Sequence, residues 1–243
     1  MTPDSNPRFS IVLPCYNEAG SLPALFGRFS EVLKGRDDVE VIFVDNGSTD
    51  RSQEVLQREQ SMPGRGYAHI VTVPFNQGYG YGILTGLRQA RGQFVGWTHA
   101  DSQYDPVIVV AGFELLAHSP HPERTFVQGR RVKRNLFDSV FTASMSVVSS
   151  LCLGVFVRDI NAQPKLFPST FLRLLERAPR DFSLDLYALY RARKAEFQIH
   201  YLPVEFGRRL HGEAKGGGSF RLKWKLTKRT WSFIKELRRE IKF

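Results

Sequence analysis

Several clusters in this chain carry side chains suited to chemistry. Pro14-Cys15-Tyr16-Asn17-Glu18 and Asp45-Asn46-Gly47-Ser48 each combine acidic, amide and hydroxyl groups, and the first adds an aromatic ring. A nucleobase needs an acceptor for its ring N–H and a flat surface for its face; Glu18 and Asp45 offer the first and Tyr16 the second. Singly, the same residue types also form strand-end turns and helix caps. A third cluster runs Thr98-His99-Ala100-Asp101-Ser102-Gln103. Two basic stretches, Gly129-Arg130-Arg131 and Arg209-Leu210-His211-Gly212-Glu213-Ala214-Lys215, supply guanidinium forks that match phosphate oxygens.

The elements that must position these groups alternate. Phe9–Leu13, Val39–Val44, His69–Val73 and Phe94–Thr98 are short β-branched and apolar runs, read as buried strands. Between them, apolar residues at helical spacing predict helices over Ser21–Lys34, with Ser21 as cap, over Ser52–Gln60 and over Gly82–Arg91. Another follows at Val107–Ala117. Strand–helix alternation of this kind predicts an α/β fold, a mostly parallel sheet with helices on both faces. Ligands of such sheets bind outside the carboxyl ends of the strands. Tyr16-Asn17-Glu18, Asp45 and Asp101 each follow a strand directly, so they should meet at one sheet edge. Further on, strands are expected at Phe126–Gln128, Lys165–Phe167 and Gln198–Pro203, and helices at Phe137–Val157, Ser169–Arg177 and Leu184–Lys194.

Taken together, the first two clusters resemble the opening of glycosyltransferase family 2, and the later motifs resemble its polyprenyl-phosphate sugar synthases. The resemblance covers Phe9 to Gly217 and implies the GT-A nucleotide-sugar-binding fold. It implies a metal-dependent, inverting transfer of a sugar from a UDP- or GDP-sugar donor to a polyprenyl phosphate. Pro14, Tyr16, Asn17, Glu18, Asp45 and Gly78 would hold the nucleotide. The family has an Asp-x-Asp motif where this chain has His99-Ala100-Asp101, and it often continues with Gln103. Asp101 and Gln103 would therefore hold Mg²⁺ or Mn²⁺ against the diphosphate, with Asp101 catalytic. His99 replaces the first Asp, either as an imidazole ligand better suited to Mn²⁺ or as a contact to sugar or phosphate. Arg209 and Lys215 would close over the donor diphosphate. Arg131 and Arg134, with Asp159 and Asn161, would hold the acceptor phosphate. Asp185 aligns with an acidic position that serves as base in many members. A hydroxyl of a lipid-linked or polymeric glycan would need that base, whereas a phosphate would not. Loss of the usual Asp also leaves open a non-catalytic nucleotide-sugar-binding subunit.

Asn76-Gln77-Gly78-Tyr79-Gly80-Tyr81-Gly82 is no dinucleotide fingerprint, since it does not follow the first strand. By resemblance it brings a helix start near the donor, with Tyr79 and Tyr81 as walls. Cys15 and Cys152 match no metal or redox spacing. The 243-residue chain carries a net charge of +10, and residues 220–243 hold nine Lys/Arg against two Glu. There Phe220, Trp224, Trp231, Ile234, Leu237 and Ile241 share a helical stripe. The expectation is a catalytic domain over 1–219 and a basic amphipathic helix over 220–243 lying on an anionic membrane surface, or else packing on the domain or a partner copy. With no leader pattern and no stretch resembling a span, the expected place is the cytoplasm, at the cytoplasmic face of the membrane. No nucleic-acid module appears. The oligomeric state is open.

Overall fold

The structure, a computed structural model, describes residues 6–101, 104–132, 136–205, 228 and 231–237, with side chains for all of these except 136–144. Its strands are β1 (Phe9–Cys15), β2 (Val39–Asn46), β3 (Ala68–Val73), β4 (Phe94–Trp97), β5 (Thr125–Val132), β6 (Lys165–Pro168) and β7 (Gln198–Glu205). They form one sheet in the order β3-β2-β1-β4-β6-β5-β7. Every pairing is parallel except those of β6, which runs antiparallel to both β4 and β5. The helices are α1 (Leu22–Val32), α2 (Ser52–Gln60), α3 (Tyr79–Leu87), α4 (Pro106–Ala117), α5 (Leu136–Leu153) and α6 (Leu184–Lys194).

Alternation along the strands splits the core. Ile11, Leu13, Val41 and Phe43 face α1, α2 and α4, while Val12, Ile42, Val44 and Trp97 face α3 and α6. With both faces covered, β1 and β2 are buried along nearly their whole length, as their mostly apolar runs require, and the two polar interruptions, Ser10 and Glu40, hydrogen-bond to each other at 2.6 Å. Register sets the working edge. Cys15 pairs with Asp45 and Val12 with Trp97, so the segments after β1, β2 and β4 leave the sheet side by side. Because β6 is reversed, its first residue, Lys165, pairs with Trp97 and Gln128 at that same edge.

Four local expectations need correction. α3 starts at Tyr79 instead of Gly82, because residues 79–81 pack on the 179–181 loop and Tyr81 N donates to Arg180 O at 2.9 Å. Ser169–Leu175 is a 3-10 helix rather than an α-helix. α5 stops at Leu153, and Gly154 takes the left-handed conformation that ends many helices. Ser21 makes no capping bond; its hydroxyl turns to Glu18, 2.8 Å from Oε2.

Within the expected 220–243 helix, residues 231–237 are described and helical. Ile234 and Leu237 are buried in the cluster that includes Leu184, Leu186 and Tyr187, and the Phe233 ring lies 6.3 Å from that of Tyr187. This turn packs its apolar stripe on the domain, which an apolar stripe fits as well as a bilayer does; Trp231 remains exposed. Phe220, Trp224 and Ile241 lie outside the described residues. No helix among the described residues is long and apolar enough to cross a membrane.

Candidate functional site

The loops after β1 and β2 are laced together. Asn17, at φ 55°, accepts from Thr49 N at 2.8 Å through its side-chain oxygen and donates its backbone N–H to Ser48 Oγ at 3.1 Å. Glu18 N donates to Ser52 Oγ at 2.8 Å, and Ser48 N donates to Asp45 Oδ1 at 3.0 Å. Gly47 is indispensable here. Its φ is 69°, and a Cβ would run into the backbone of Phe75 and Asn76. These bonds fix a rigid rim in which Asp45 is buried and Tyr16 and Glu18 are half-buried. Asn17 thus shapes the rim. Its amide bonds to Thr49 in the second loop, with Nδ2 3.2 Å from Thr49 Oγ1.

Gly78, at φ 104°, begins α3 and accepts from Asn46 Nδ2 at 2.8 Å. The other amide atom, Asn46 Oδ1, is buried with no hydrogen-bond partner among the described residues. Such an atom is costly unless something supplies a donor, and the Asn46 side chain lies against Gly82 at the start of α3.

His99 and Asp101 follow β4. The His99 ring lies 6.1 Å from that of Tyr104, nearly parallel to it, and 5.8 Å from that of Tyr79, which stacks on Phe182 at 4.6 Å. Burial pushes the His99 imidazole below its ordinary value, opposed by Asp101 and Asp185 and reinforced by Lys165 and Arg131. Burial likewise raises the Tyr79 and Tyr104 hydroxyls. Asp101 is 6% exposed. No group of three or more His, Cys, Asp or Glu among the described residues could enclose a metal ion. One carboxylate at a strand end still fits Mg²⁺ or Mn²⁺, which complete their shells with substrate phosphate oxygens and water. Gln103 lies outside the described residues, as do Arg134, Arg209 and Lys215.

The residues expected on the acceptor side lie on and after β5 and before β6. At Gly129 a Cβ would collide with the Gln163 carbonyl, so only glycine allows the two strands' ends to meet. Two residues on, Arg131 forks onto Asp159, with Nε 2.8 Å from Oδ1 and the backbone N 2.8 Å from Oδ2. Asp159 is buried, as expected of it, and braces the arginine: a carboxylate repels phosphate but orients a guanidinium well. Asn161 is exposed.

Asp185 sits deeper. Its Oδ1 accepts from Lys165 Nζ at 2.8 Å, Gln163 Nε2 at 2.9 Å and Trp97 Nε1 at 3.3 Å. Lys165 is fully buried and also donates to the carbonyls of Ile160 and Ala162, both at 2.9 Å. Burial lowers its pKa against the pull of Asp185. Sequence reasoning missed Lys165, Gln163 and Trp97. One signal was present: a lysine opening the four-residue apolar strand Lys165–Pro168 must find a buried partner.

The chain resembles known proteins over most of its length. It is 29% identical to the undecaprenyl-phosphate 4-deoxy-4-formamido-L-arabinose transferase of Yersinia pestis, a match covering 82% of this chain and 61% of that protein. Its counterpart in Yersinia pseudotuberculosis matches equally. The chain thus spans about three fifths of the length of these relatives. Among solved structures, a mannosyltransferase from Pyrobaculum calidifontis in complex with GDP-Man and Mn²⁺ superposes with a TM-score of 0.66. It is 20% identical, and the match covers 93% of this chain and 62% of that one. The glucosyl-3-phosphoglycerate synthase of Mycobacterium tuberculosis, in complex with Mn²⁺, UDP and phosphoglyceric acid, gives 0.70 at 18% identity, covering 92% and 76%. These likenesses establish the GT-A fold. Residues 10–147 match the sequence profile of Glycosyl transferase family 2, and the chain belongs to that family.

Proposed function

We propose that this chain transfers a sugar from a nucleoside-diphosphate donor to a polyprenyl phosphate, with inversion, at the cytoplasmic face of the membrane. The observation that carries the reading is the meeting of three things at one sheet edge: the rigid nucleotide rim, Asp101, and an arginine braced by Asp159. The base of a UDP- or GDP-sugar lies against Tyr16, Glu18 and Asp45. Asp101 holds a divalent ion, which when bound neutralises charge on the departing diphosphate. Arg131 holds the acceptor phosphate. One phosphate oxygen attacks the anomeric carbon as the bond from that carbon to the diphosphate oxygen breaks. The nucleoside diphosphate leaves with the electron pair.

A phosphate is already an anion at neutral pH, so no base is needed. The burial of Asp185 and its engagement by three donors support a positioning role over general-base chemistry, and with it a phosphate acceptor over a hydroxyl. The Yersinia relatives, named for undecaprenyl-phosphate, support the same acceptor class. The nucleotide and Mn²⁺ in the two solved relatives support the donor and the metal.

The test is a transfer assay with Mn²⁺ or Mg²⁺, a panel of labelled nucleotide sugars and a short-chain polyprenyl phosphate. Label should enter the lipid phase from one donor. Donor breakdown without lipid label moves the acceptor to a hydroxyl. No metal-dependent loss of any donor favours the reading as a nucleotide-sugar binder.

A further inference from the structure

The last turns of α5 are inside out. Ser146, Ser149 and Leu153 are buried against the protein, while Val147 is 57% exposed, Val148 40% and Leu151 78%. Ser149 Oγ is buried without a hydrogen-bond partner among the described residues. A helix on a water-facing surface turns its apolar stripe inward and its serines outward; here two serines go in beside Leu153 while three large aliphatic side chains stay out. Beyond the helix end, Phe156 is 61% exposed, and the Arg193 guanidinium lies 5.8 Å from its ring centroid while donating to its carbonyl at 2.9 Å. Arg158 is exposed beside it.

We propose that this face is a docking surface for an anionic lipid bilayer: Val147, Val148, Leu151 and Phe156 enter the headgroup–acyl boundary, while Arg158 and Arg193 meet lipid phosphates. Two features favour lipid over a protein partner. Arginines edge the apolar patch, one of them stacked on its aromatic ring, which is the arrangement of a surface half in hydrocarbon and half among anions. The patch is also joined to the acceptor arginine. Ser150 Oγ donates to Val157 O at 3.2 Å and accepts from Val157 N at 3.0 Å, and Asp159, two residues on, braces Arg131. Gln128 Nε2 holds the carbonyls of Arg158 and Asp159 at 2.9 and 2.8 Å. A bilayer seated on α5 would thus present a lipid phosphate beside Arg131. That consequence rests on the proposed function; the docking itself does not.

The experiment is sedimentation of the full chain with phosphatidylglycerol-containing vesicles and with pure phosphatidylcholine vesicles, paired with light scattering. Wild-type protein should partition onto the anionic vesicles. The V147Q/L151Q variant should partition at least about tenfold less, a lower bound for withdrawing two aliphatic side chains from an apolar phase. R158Q should weaken the preference for anionic lipid. Met62→Gln, at an exposed apolar residue elsewhere, should change nothing. Equal partitioning of V147Q/L151Q, or no partitioning of the wild type, overturns the proposal. So does a wild-type dimer that V147Q/L151Q splits, which would make this face an interface between copies. Transfer to a short-chain, water-soluble acceptor is measured alongside and should be unchanged in V147Q/L151Q. If the wild type shows no transfer yet binds vesicles, the proposed activity fails and the docking surface stands.

Discussion

Lys165 Nζ lies 2.8 Å from Asp185 Oδ1, and both side chains are buried. The pair joins the first residue of β6 to the first turn of α6. Through its other bonds Lys165 also holds the 160–162 backbone that follows Asp159. A buried ion pair is a poor source of net stability, yet removing one partner strands a charge. Lys165→Met should therefore cost about 3–5 kcal/mol in denaturant unfolding. The double variant K165M/D185N should recover only part of this, because the carbonyls of Ile160 and Ala162 stay without their donor. Full recovery would show that those two bonds contribute nothing.

Arg131 and Asp159 should act as one unit. Arg131→Ala should raise the KM for polyprenyl phosphate about 10- to 100-fold, the range for a lost charge-assisted contact, and leave the donor KM in place. Asp159→Asn should move the same parameter by less, since an amide can still accept from the guanidinium. An equal rise in donor KM would place this arginine on the wrong substrate.

Asp101→Ala should abolish transfer while circular dichroism and the melting transition show a folded protein. Wild-type turnover in a folded variant would remove Asp101 from the metal site.

His99 is packed between Tyr79 and Tyr104. Held this way, it suits a contact to sugar or phosphate better than a metal ligand. His99→Ala should raise the donor KM and keep the ratio of Mn²⁺-supported to Mg²⁺-supported rates. A clear change in that ratio would make the imidazole a ligand.

Gly47→Ala should damage donor binding more than it damages the acceptor side. The backbone of Phe75 and Asn76 cannot yield to a Cβ, and the conformation is strained for any side chain. Isothermal titration with nucleoside diphosphate should show weaker binding, by about tenfold for a strain of 1–3 kcal/mol. Unchanged affinity would mean that the loop relaxes without disturbing the rim.

The sequence by itself determined the strands, the order of the helices and the edge at which the site lies. Apolar runs of strand length, polar clusters directly after them and helical periodicity are local signals, and Tyr16, Glu18, Asp45 and Asp101 could be read from them. What only the tertiary structure decided depends on partners distant in sequence. Reversal of β6 brings Lys165 to Trp97 and Asp185, so that Asp185, read from the sequence as either a base or a structural carboxylate, is one end of a buried pair. The fork of Arg131 onto Asp159 spans 28 residues, and no local pattern shows that the two side chains meet. The stripe through Ile234 and Leu237 reads from the sequence first as a membrane-surface helix, and only packing against Tyr187 and its neighbours shows these two side chains buried in the domain. For α5 the periodicity gave an amphipathic helix but not which face turns outward. Burial of its serines decided that, because a side chain's surroundings are set by the elements it packs against and not by its own spacing.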